Sequence, residues 1–412
     1  MALVLFGATG FTGKLALEWM LEKRHEPVCV CARSAAKAQK AIGEVKQRLK
    51  ARGVDRDDVQ VHVDTADLAA DTEEKEDALR AVVKKYRVCL STAGPFERHG
   101  LKLVKICAEV GTHYADITGE SDFVRKTVEM HDETARASGA IIVSHCGNDC
   151  IPWDLSVYEM HRHASSRNAE LVKVDTFVEM APGTAASGGT VSTAVFQLNK
   201  KRKDRTSTTD FDPLLRTPEG TKSPYSTTNK SSKSSRYVKE FQRNGSAWIM
   251  TPVMANCIRR SNALLGYQQE LHFSDTLLRN PSFLDWISDK AYESLVAASI
   301  LAPALFRRFL PAQGEGPSRE FMDKGWLKVH ARGVMKDKAT GAETALESTY
   351  EFFEDVGYLA TAKFLVEAGR LLLESDGQPG GVLPPAVAFG SRIVERLAAQ
   401  TGAKFTLAEA AA

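Results

Sequence analysis

The sequence predicts an α/β fold: a doubly wound parallel sheet at the N-terminus, then a second α/β (α+β) domain built on a mixed sheet. Three observations predict it. A short apolar run, Ala2 to Phe6, stops at the turn Gly7-Ala8-Thr9-Gly10-Phe11-Thr12-Gly13 and passes at once into a helical pattern. Apolar β-type runs then alternate with amphipathic helical stretches to about residue 150. Several of those runs end in small or polar residues, which suits the ligand-binding edge of such a sheet.

Strand, glycine turn and helix in that order make a phosphate cradle. Glycines let the backbone approach a pyrophosphate, and the helix start offers free N–H groups and a positive dipole end. The spacing is GxxGxxG rather than the commoner GxGxxG, so the context carries the reading more than the pattern does. Gly7, Ala8, Thr9, Gly10, Phe11, Thr12 and Gly13 are therefore the first candidate dinucleotide-binding residues. Pro27 closes the first helix, and Val28 to Ala32 reads as the second strand. Arg33 and Ser34 follow, where an acid would hold a ribose 2′-hydroxyl and an arginine suits a 2′-phosphate. NADP(H) is expected over NAD(H). A third strand, Val59 to Val63, ends at Asp64, which either bonds the adenine amino group or belongs with Asp67 to the cap of the next helix.

The fourth strand, Tyr86 to Leu90, ends in Ser91-Thr92-Ala93-Gly94-Pro95, small residues that admit a ligand to the backbone. A helix from about Gly100 to Gly111 leads to His113-Tyr114-Ala115-Asp116. After another helix, Ala140 to Ser144 is a strand that ends in His145-Cys146-Gly147-Asn148-Asp149-Cys150. The ends of the fourth to sixth strands would surround a nicotinamide. Tyr114 or His145 is placed to donate a proton, Asp116 to orient a neighbour and Asn148 to hold a carbonyl oxygen. Capping or packing explains several of these polar residues equally well, Asp116, Glu120 and Asp154 above all. No Tyr-x-x-x-Lys pair follows the fourth strand, so a short-chain dehydrogenase mechanism is not expected.

The domain division expected is 1–154, 155–375 and a C-terminal segment, 376–412, that packs back on the first domain. In the second domain Val172 to Met180, Trp326 to Val334 and Glu347 to Phe353 read as strands. Gly183 to Thr190 is a small-residue loop that either takes an anion or is a turn with a threonine cap. Residues 199–244 are a polar insertion with a basic cluster from Lys200 to Arg205. Residues 293–311 are apolar and end near Arg307 and Arg308. That run is too short to span a bilayer, so it is a buried helix or one lying on a lipid surface. A late helix opens at Gly357, and Gly380 to Pro385 reads as a loop.

Composition sets outer bounds. The chain has 412 residues, 43% hydrophobic and 26% charged, which suits a globular protein of two or three domains. A net charge of +2 argues against a nucleic-acid partner. Seven cysteines without a CxxC pair indicate a reducing compartment and no disulfide framework. Cys29 and Cys31 read as core. Cys146 and Cys150 lie near His145 and Asp149, yet no zinc spacing is met and no metal is expected. A fold that begins at residue 2 leaves no room for a leader peptide, so the expected location is cytoplasmic. A homodimer is the base-rate expectation.

In combination, GATGFTG (7–13), STAGPF with its following glycine (91–100), HYADITGE (113–120) and GNDCIPWDL (147–155) resemble the saccharopine dehydrogenase-like oxidoreductases. GEGPS (314–318), GYLATAK (357–363) and GGVLPP (380–385) resemble the branch that includes the trans-acting enoyl reductases. The resemblance covers most of the chain. It implies a Rossmann domain joined to an α/β domain, NAD(P) binding and, from the animal members, contact with membranes or lipid droplets, here through 293–311. Three functions follow as expectations. The first is NADP(H)-dependent reduction of an enoyl or carbonyl group on a lipid-derived or thioester-linked substrate. The second is reduction of an amino-acid imine, for which Arg259 and Arg260 would have to converge on carboxylates. The third is a non-enzymatic nucleotide-binding protein on a lipid surface.

Overall fold

The computed structural model describes residues 2–23, 27–181, 186–199, 212–232, 234–248, 250–279, 311–312 and 314–410, together with Ser294 and Ala298. Gly183 to Ala185, the basic cluster at 200–205 and nearly all of 293–311 lie outside the described residues.

The first sheet contains β1 (Leu3–Phe6), β2 (Val28–Ala32), β3 (Val61–Thr65), β4 (Val88–Ser91), β5 (His113–Asp116), β6 (Ile141–Val143) and a late strand, β14 (Gly381–Leu383). Their order is β14-β6-β5-β4-β1-β2-β3, and every pairing is parallel. Parallel strands need a crossover each, and the helices that supply them cover both faces. These are α1 (Phe11–Lys23), α2 (Ala35–Ala51), α3 (Glu73–Val83), the short α4 (Phe96–His99) with α5 (Leu101–Val110), and α6 (Ser121–Ser138). Consecutive residues of one strand accordingly enter different cores. Leu3, Leu5, Val28 and Val30 pack on one face, and Val4, Phe6, Cys29 and Cys31 on the other.

Helix α7 (Ile151–Ser166) carries the chain to the second sheet. That sheet holds β7 (Ala169–Met180), β8 (Ser226–Asn229), β9 (Arg236–Val238), β10 (Arg243–Ser246), β11 (Glu270–Arg279), β12 (Leu327–Asp337), β13 (Glu343–Phe352) and β15 (Lys404–Glu409). Its order is β15-β13-β12-β7-β11-β10-β9, with β8 beside β11. It is mixed: β7 and β8 run parallel to β11, whereas β12 runs antiparallel to both β7 and β13. The helices of this part are α8 (Gly188–Asn199), α9 (Thr251–Leu265), α10 (Arg319–Asp323), α11 (Thr361–Leu373), α12 (Pro385–Phe389) and α13 (Ser391–Thr401).

Residues 376–412 divide between the two sheets. Gly380 to Pro385, expected as a loop, supplies β14, which pairs with β6. Only hydrogen fits at Gly380, since a Cβ would meet the Ala135 carbonyl oxygen at 2.4 Å. The Asp132 carboxylate accepts the Val382 N–H at 2.8 Å and fixes the strand. Strand β15 instead extends the second sheet along β13. Asp154 does not cap α7. Its fully buried carboxylate accepts Ser261 Oγ at 2.6 Å and the Ala386 N–H at 2.9 Å, joining α7, α9 and α12.

Asp275 performs the same task inside the second layer. It accepts Trp153 Nε1 at 3.0 Å, Thr176 Oγ1 at 2.6 Å and Thr251 Oγ1 at 2.9 Å. One carboxylate thus ties α7, β7, β11 and α9 together. Replacing it with alanine leaves Trp153 Nε1 and Thr251 Oγ1 unpaired, while Thr176 keeps the Ser274 carbonyl, and should cost about 3 kcal/mol. Urea unfolding of Asp275→Ala is expected to show a much lower midpoint, with Asp275→Asn in between.

Candidate functional site

The glycine turn between β1 and α1 is built on close contacts. Gly7 has φ +86°, and a Cβ there would meet Thr92 Oγ1 at 2.7 Å. A Cβ on Gly13 would lie 2.1 Å from the Gly7 carbonyl oxygen. These two glycines let α1 settle onto the turn. Gly10 differs: the nearest atom to its virtual Cβ is the Gly7 oxygen at 3.3 Å. A Cβ there would press only on that oxygen, which a shift of a few tenths of an ångström relieves, and the remaining space over the start of α1 is open. That space, next to the unpaired first N–H groups of the helix, fits a pyrophosphate.

A second set of loops roofs the turn. The Phe11 ring packs edge-on to Tyr358, with centroids 5.2 Å apart. A Cβ on Gly316 would press into the same Phe11 ring at 2.7 Å. The Tyr358 hydroxyl accepts the Ser187 N–H at 2.7 Å and lies 2.9 Å from Thr190 Oγ1. Glu18 of α1 receives Arg52 and Arg319, each at 2.6 Å, and so pins α10 and the loop before it. Residues distant in sequence (the glycine turn, Ser187 to Thr190, Gly314 to Ser318, and Tyr358) therefore share one place. Sequence reasoning did not assign Ser187, Gly316 or Tyr358 to the site, although the last two lie within recognised motifs. Ser187, rather than Thr190, caps α8, its Oγ accepting the Thr190 N–H at 3.3 Å.

At the end of β4, Thr92 Oγ1 donates to the Phe6 carbonyl at 3.2 Å, and Ser91 Oγ accepts the Ala93 N–H at 3.3 Å. Gly94 lies under Thr193 of α8, 3.4 Å from its virtual Cβ. Pro95 leads into α4, whose first N–H groups, Phe96 and Glu97, are accepted by the Glu120 carboxylate at 2.7 and 2.9 Å. Glu120 thus caps a helix that precedes it by many residues, and it makes no side-chain cap to α6. Arg33 is exposed, and Ser34 caps α2 through the Lys37 N–H. Burial, then the charges of Arg98 and Arg33, push His99 below its ordinary value. Two arginines and a histidine therefore gather beyond the ends of β2 and β4. Asp64 is engaged within the protein: it accepts Lys85 Nζ and Tyr86 Oη, both at 2.7 Å. Asp67 holds a local turn through the Ala69 N–H, and Thr72 caps α3.

The ends of β5 and β6 bring Asp116, His145 and Asn148 together. Asp116 is fully buried and accepts the Thr118 N–H at 3.0 Å and Ser144 Oγ at 3.2 Å. Burial raises its carboxyl to about 6, against the pull of those hydrogen bonds and of His145. His145 has φ +66°, an uncommon conformation for a side chain with a Cβ. Its Nδ1 donates to the Thr118 carbonyl at 2.7 Å. Burial would lower the imidazole, but Cys150, the Thr118 carbonyl and Asp116 outweigh it and raise the ring to about 9. The Asn148 N–H is held by Thr361 Oγ1 at 3.1 Å, while its buried side-chain oxygen lacks a hydrogen-bond partner. Asp149, partly exposed, is raised to about 6 by burial, with His145 opposing. Tyr114 is fully buried on the sheet face that also holds Cys89 and Cys107. Its hydroxyl lies toward Asp116 and Ser91 with no exposure of its own. Among the described residues no group of three or more His, Cys, Asp or Glu side chains could hold a metal.

A narrow cleft, with room for about one water-sized group, begins at Ser144 and His145. Ser121, Val124 and Val128 of α6, Asn256, Cys257 and Arg260 of α9, and Val382 to Pro384 line it.

Residues 3–143 match the family model described as the saccharopine dehydrogenase NADP binding domain. A trans-acting enoyl reductase of Mycobacterium tuberculosis is 31% identical, over 96% of this chain and 95% of its own. One from Mycobacterium leprae is 30% identical over the same shares. The chain belongs to the saccharopine dehydrogenase-like family. It is an NAD(P)-dependent oxidoreductase, and the glycine turn, with its open Gly10 position, fits the dinucleotide. Saccharopine dehydrogenase (L-Glu forming) from Saccharomyces cerevisiae shares the fold, with a TM-score of 0.58 at 12% identity and full coverage of both chains. Among the described residues no helix is long and apolar enough to cross a membrane.

Two predictions follow from this geometry. Gly13→Ala should destabilise the fold by about 3 kcal/mol, because a backbone oxygen blocks the new methyl. Gly10→Ala should unfold within about 1 kcal/mol of the native chain yet bind NADPH at least about tenfold more weakly. Thermal unfolding beside a fluorescence titration separates the two.

The second concerns charge. His145 is raised, so its stabilisation is complete below the ordinary imidazole value and lost as pH rises through about 9. Cys150 is depressed, so its stabilisation is present above the ordinary thiol value and lost as pH falls through about 7. The opposed signs largely cancel in a stability curve, so the imidazole itself must be followed. By NMR, His145 is expected to titrate near 9, and Cys150→Ser should bring it down.

Proposed function

We propose that this chain reduces the carbon–carbon double bond of an enoyl thioester with NADPH. The observation that carries the reading is the cleft beside His145. Its wall carries Val124, Val128, Leu214, Val382 and Leu383, with Ser144 and His145 at the end where β5 and β6 stop and Ser121, Asn256 and Arg260 elsewhere along it. Apolar side chains beside a polar end suit the reacting end of an acyl thioester at the sheet edge. The names of the mycobacterial relatives, which align along nearly the whole chain, point the same way.

When bound, NADPH supplies the hydride. The chain must then steady negative charge on the thioester oxygen and deliver a proton to the α-carbon. Asn148 would donate its side-chain N–H to that oxygen, since its unpaired Oδ1 can only accept. His145 is protonated at neutral pH and faces the cleft, which makes it the proton donor. Asp116 positions His145 by fixing Ser144 beside it and Thr118, whose carbonyl holds the imidazole. Tyr114 supports the strand beneath. Arg33, with Ser34, Arg98 and His99, would take the 2′-phosphate, while Gly7 to Gly13 and Ser91 to Pro95 would hold the rest of the dinucleotide. Asp64 is left out of that set because Lys85 and Tyr86 occupy its oxygens.

The imine reading loses its anchors. Arg260 is buried and donates to the carbonyls of Leu214, Arg216 and Val382, and Arg259 is paired with Asp212.

Adding a 2-enoyl thioester to protein and NADPH should consume the cofactor, and NADH should serve poorly. Arg33→Ala is expected to weaken NADPH binding about tenfold and leave NADH binding unchanged. Equal affinity for the two cofactors in the unaltered protein would show that the arginine pair does not read a phosphate. Cofactor consumption with an α-keto acid and amine but none with enoyl thioesters would overturn the substrate assignment.

A further inference from the structure

The start of α7 meets the middle of α9 at a pair of cysteines that the reduction does not need. Cys150 and Cys257 pack together with Val253 and Met250. Cys150 is the N-cap residue of the sixteen-residue helix α7, where unpaired N–H groups favour an anion. The His145 ring is anchored through Nδ1 on the Thr118 carbonyl, and its other edge meets the Cys150 sulfur. The Cys257 thiol bonds to Cys150 from the opposite helix. His145 and Cys257 line the cleft and the buried Cys150 does not, so a small solute reaches the pair past those two side chains.

The remaining cysteines provide an internal contrast. Cys29, Cys31, Cys89 and Cys107 sit in the apolar core on one face of the first sheet, and Cys146 in the other core. None of them lines the cleft or packs in the cluster that holds Cys257. Burial raises Cys31 to about 12 and pushes Cys89 and Cys146 well above the usual thiol range. Burial acts on Cys150 in the same direction, but the Cys257 hydrogen bond and His145 outweigh it and bring that thiol down to about 7.

We infer that Cys150 and Cys257 form a redox-active dithiol in which Cys150 is oxidised by a hydroperoxide and Cys257 resolves it to an internal disulfide. The Cys150 thiolate attacks the terminal peroxide oxygen. An S–O bond forms, the O–O bond breaks, and the alkoxide leaves as an alcohol after taking a proton from the His145 imidazolium. Sulfur loses two electrons to the peroxide. The Cys257 thiol then gives its proton to His145, and its sulfur attacks the sulfenic sulfur. The S–S bond forms, and hydroxide leaves and is protonated to water. The sum is two thiols and one hydroperoxide giving a disulfide, an alcohol and water. The disulfide removes the negative partner of His145 at the head of the cleft. The thiol chemistry does not rest on the enoyl-reductase reading.

The test uses the full chain and hydrogen peroxide, followed by alkylation of the native protein and peptide mapping without reductant. The expected product is a Cys150–Cys257 cross-linked peptide that forms at least about tenfold faster than oxidation of any other cysteine and is reversed by dithiothreitol. Cys257→Ser should stop the reaction at a Cys150 sulfenic acid that dimedone traps. If that variant does not fold, the map of the unaltered chain decides alone. The inference is overturned if both thiols stay reduced while other cysteines oxidise, or if Cys150 and Cys257 are modified without preference for each other. Neither result bears on NADPH consumption with enoyl thioesters, so the two readings fail separately.

Discussion

The structure depends on one close approach. Helix α1 sits so near the turn before it that only hydrogen fits at Gly7 and Gly13, the latter facing the Gly7 carbonyl oxygen. That contact fixes the direction of α1, and the direction fixes what its side chains can reach. Phe11 meets Tyr358 and Gly316, and Glu18 meets Arg52 and Arg319. The second half of the chain is thereby drawn over the dinucleotide turn. A strained or looser turn would release the roof together with the cradle.

Buried carboxylates carry the coupling between the layers. Asp132, Asp154 and Asp275 each accept hydrogen bonds from elements far apart in sequence, and together they fix β14, α12 and α9 against α6 and α7. Such groups are costly to bury unless paired, so each holds its partners in one arrangement. The cleft runs through the volume they frame. Its mouth, His145 and the Cys150–Cys257 pair are therefore held by rigid elements, while the relevant charges lie on turns at strand ends.

Much of this was legible in the sequence. The first sheet follows from apolar runs at regular intervals, and the cradle from GATGFTG in its strand–turn–helix setting. Other features were hidden for physical reasons. Val382 and Leu383, between glycines and prolines, look like a loop, because β14 owes its existence to β6 and Asp132 rather than to local propensity. β15 likewise forms on the edge that β13 provides. Asp64 and Asp154 stand where ligand contacts or caps are expected, yet tertiary partners claim them. Tyr114 has the right chemistry and strand, but its side chain is fully buried. No local pattern brings Ser187 to Tyr358 or Cys150 to Cys257, since both contacts are made by the fold.

The central claim is that a hydride crosses from NADPH to an enoyl carbon in this cleft. The direct measurement uses NADPH carrying deuterium at C4 of the nicotinamide, each face labelled in turn, with a 2-enoyl thioester and the full chain. The account predicts one deuterium at the β-carbon of the saturated product from one of the two labelled faces. Tight NADPH binding with no deuterium in the acyl chain from either face would contradict it.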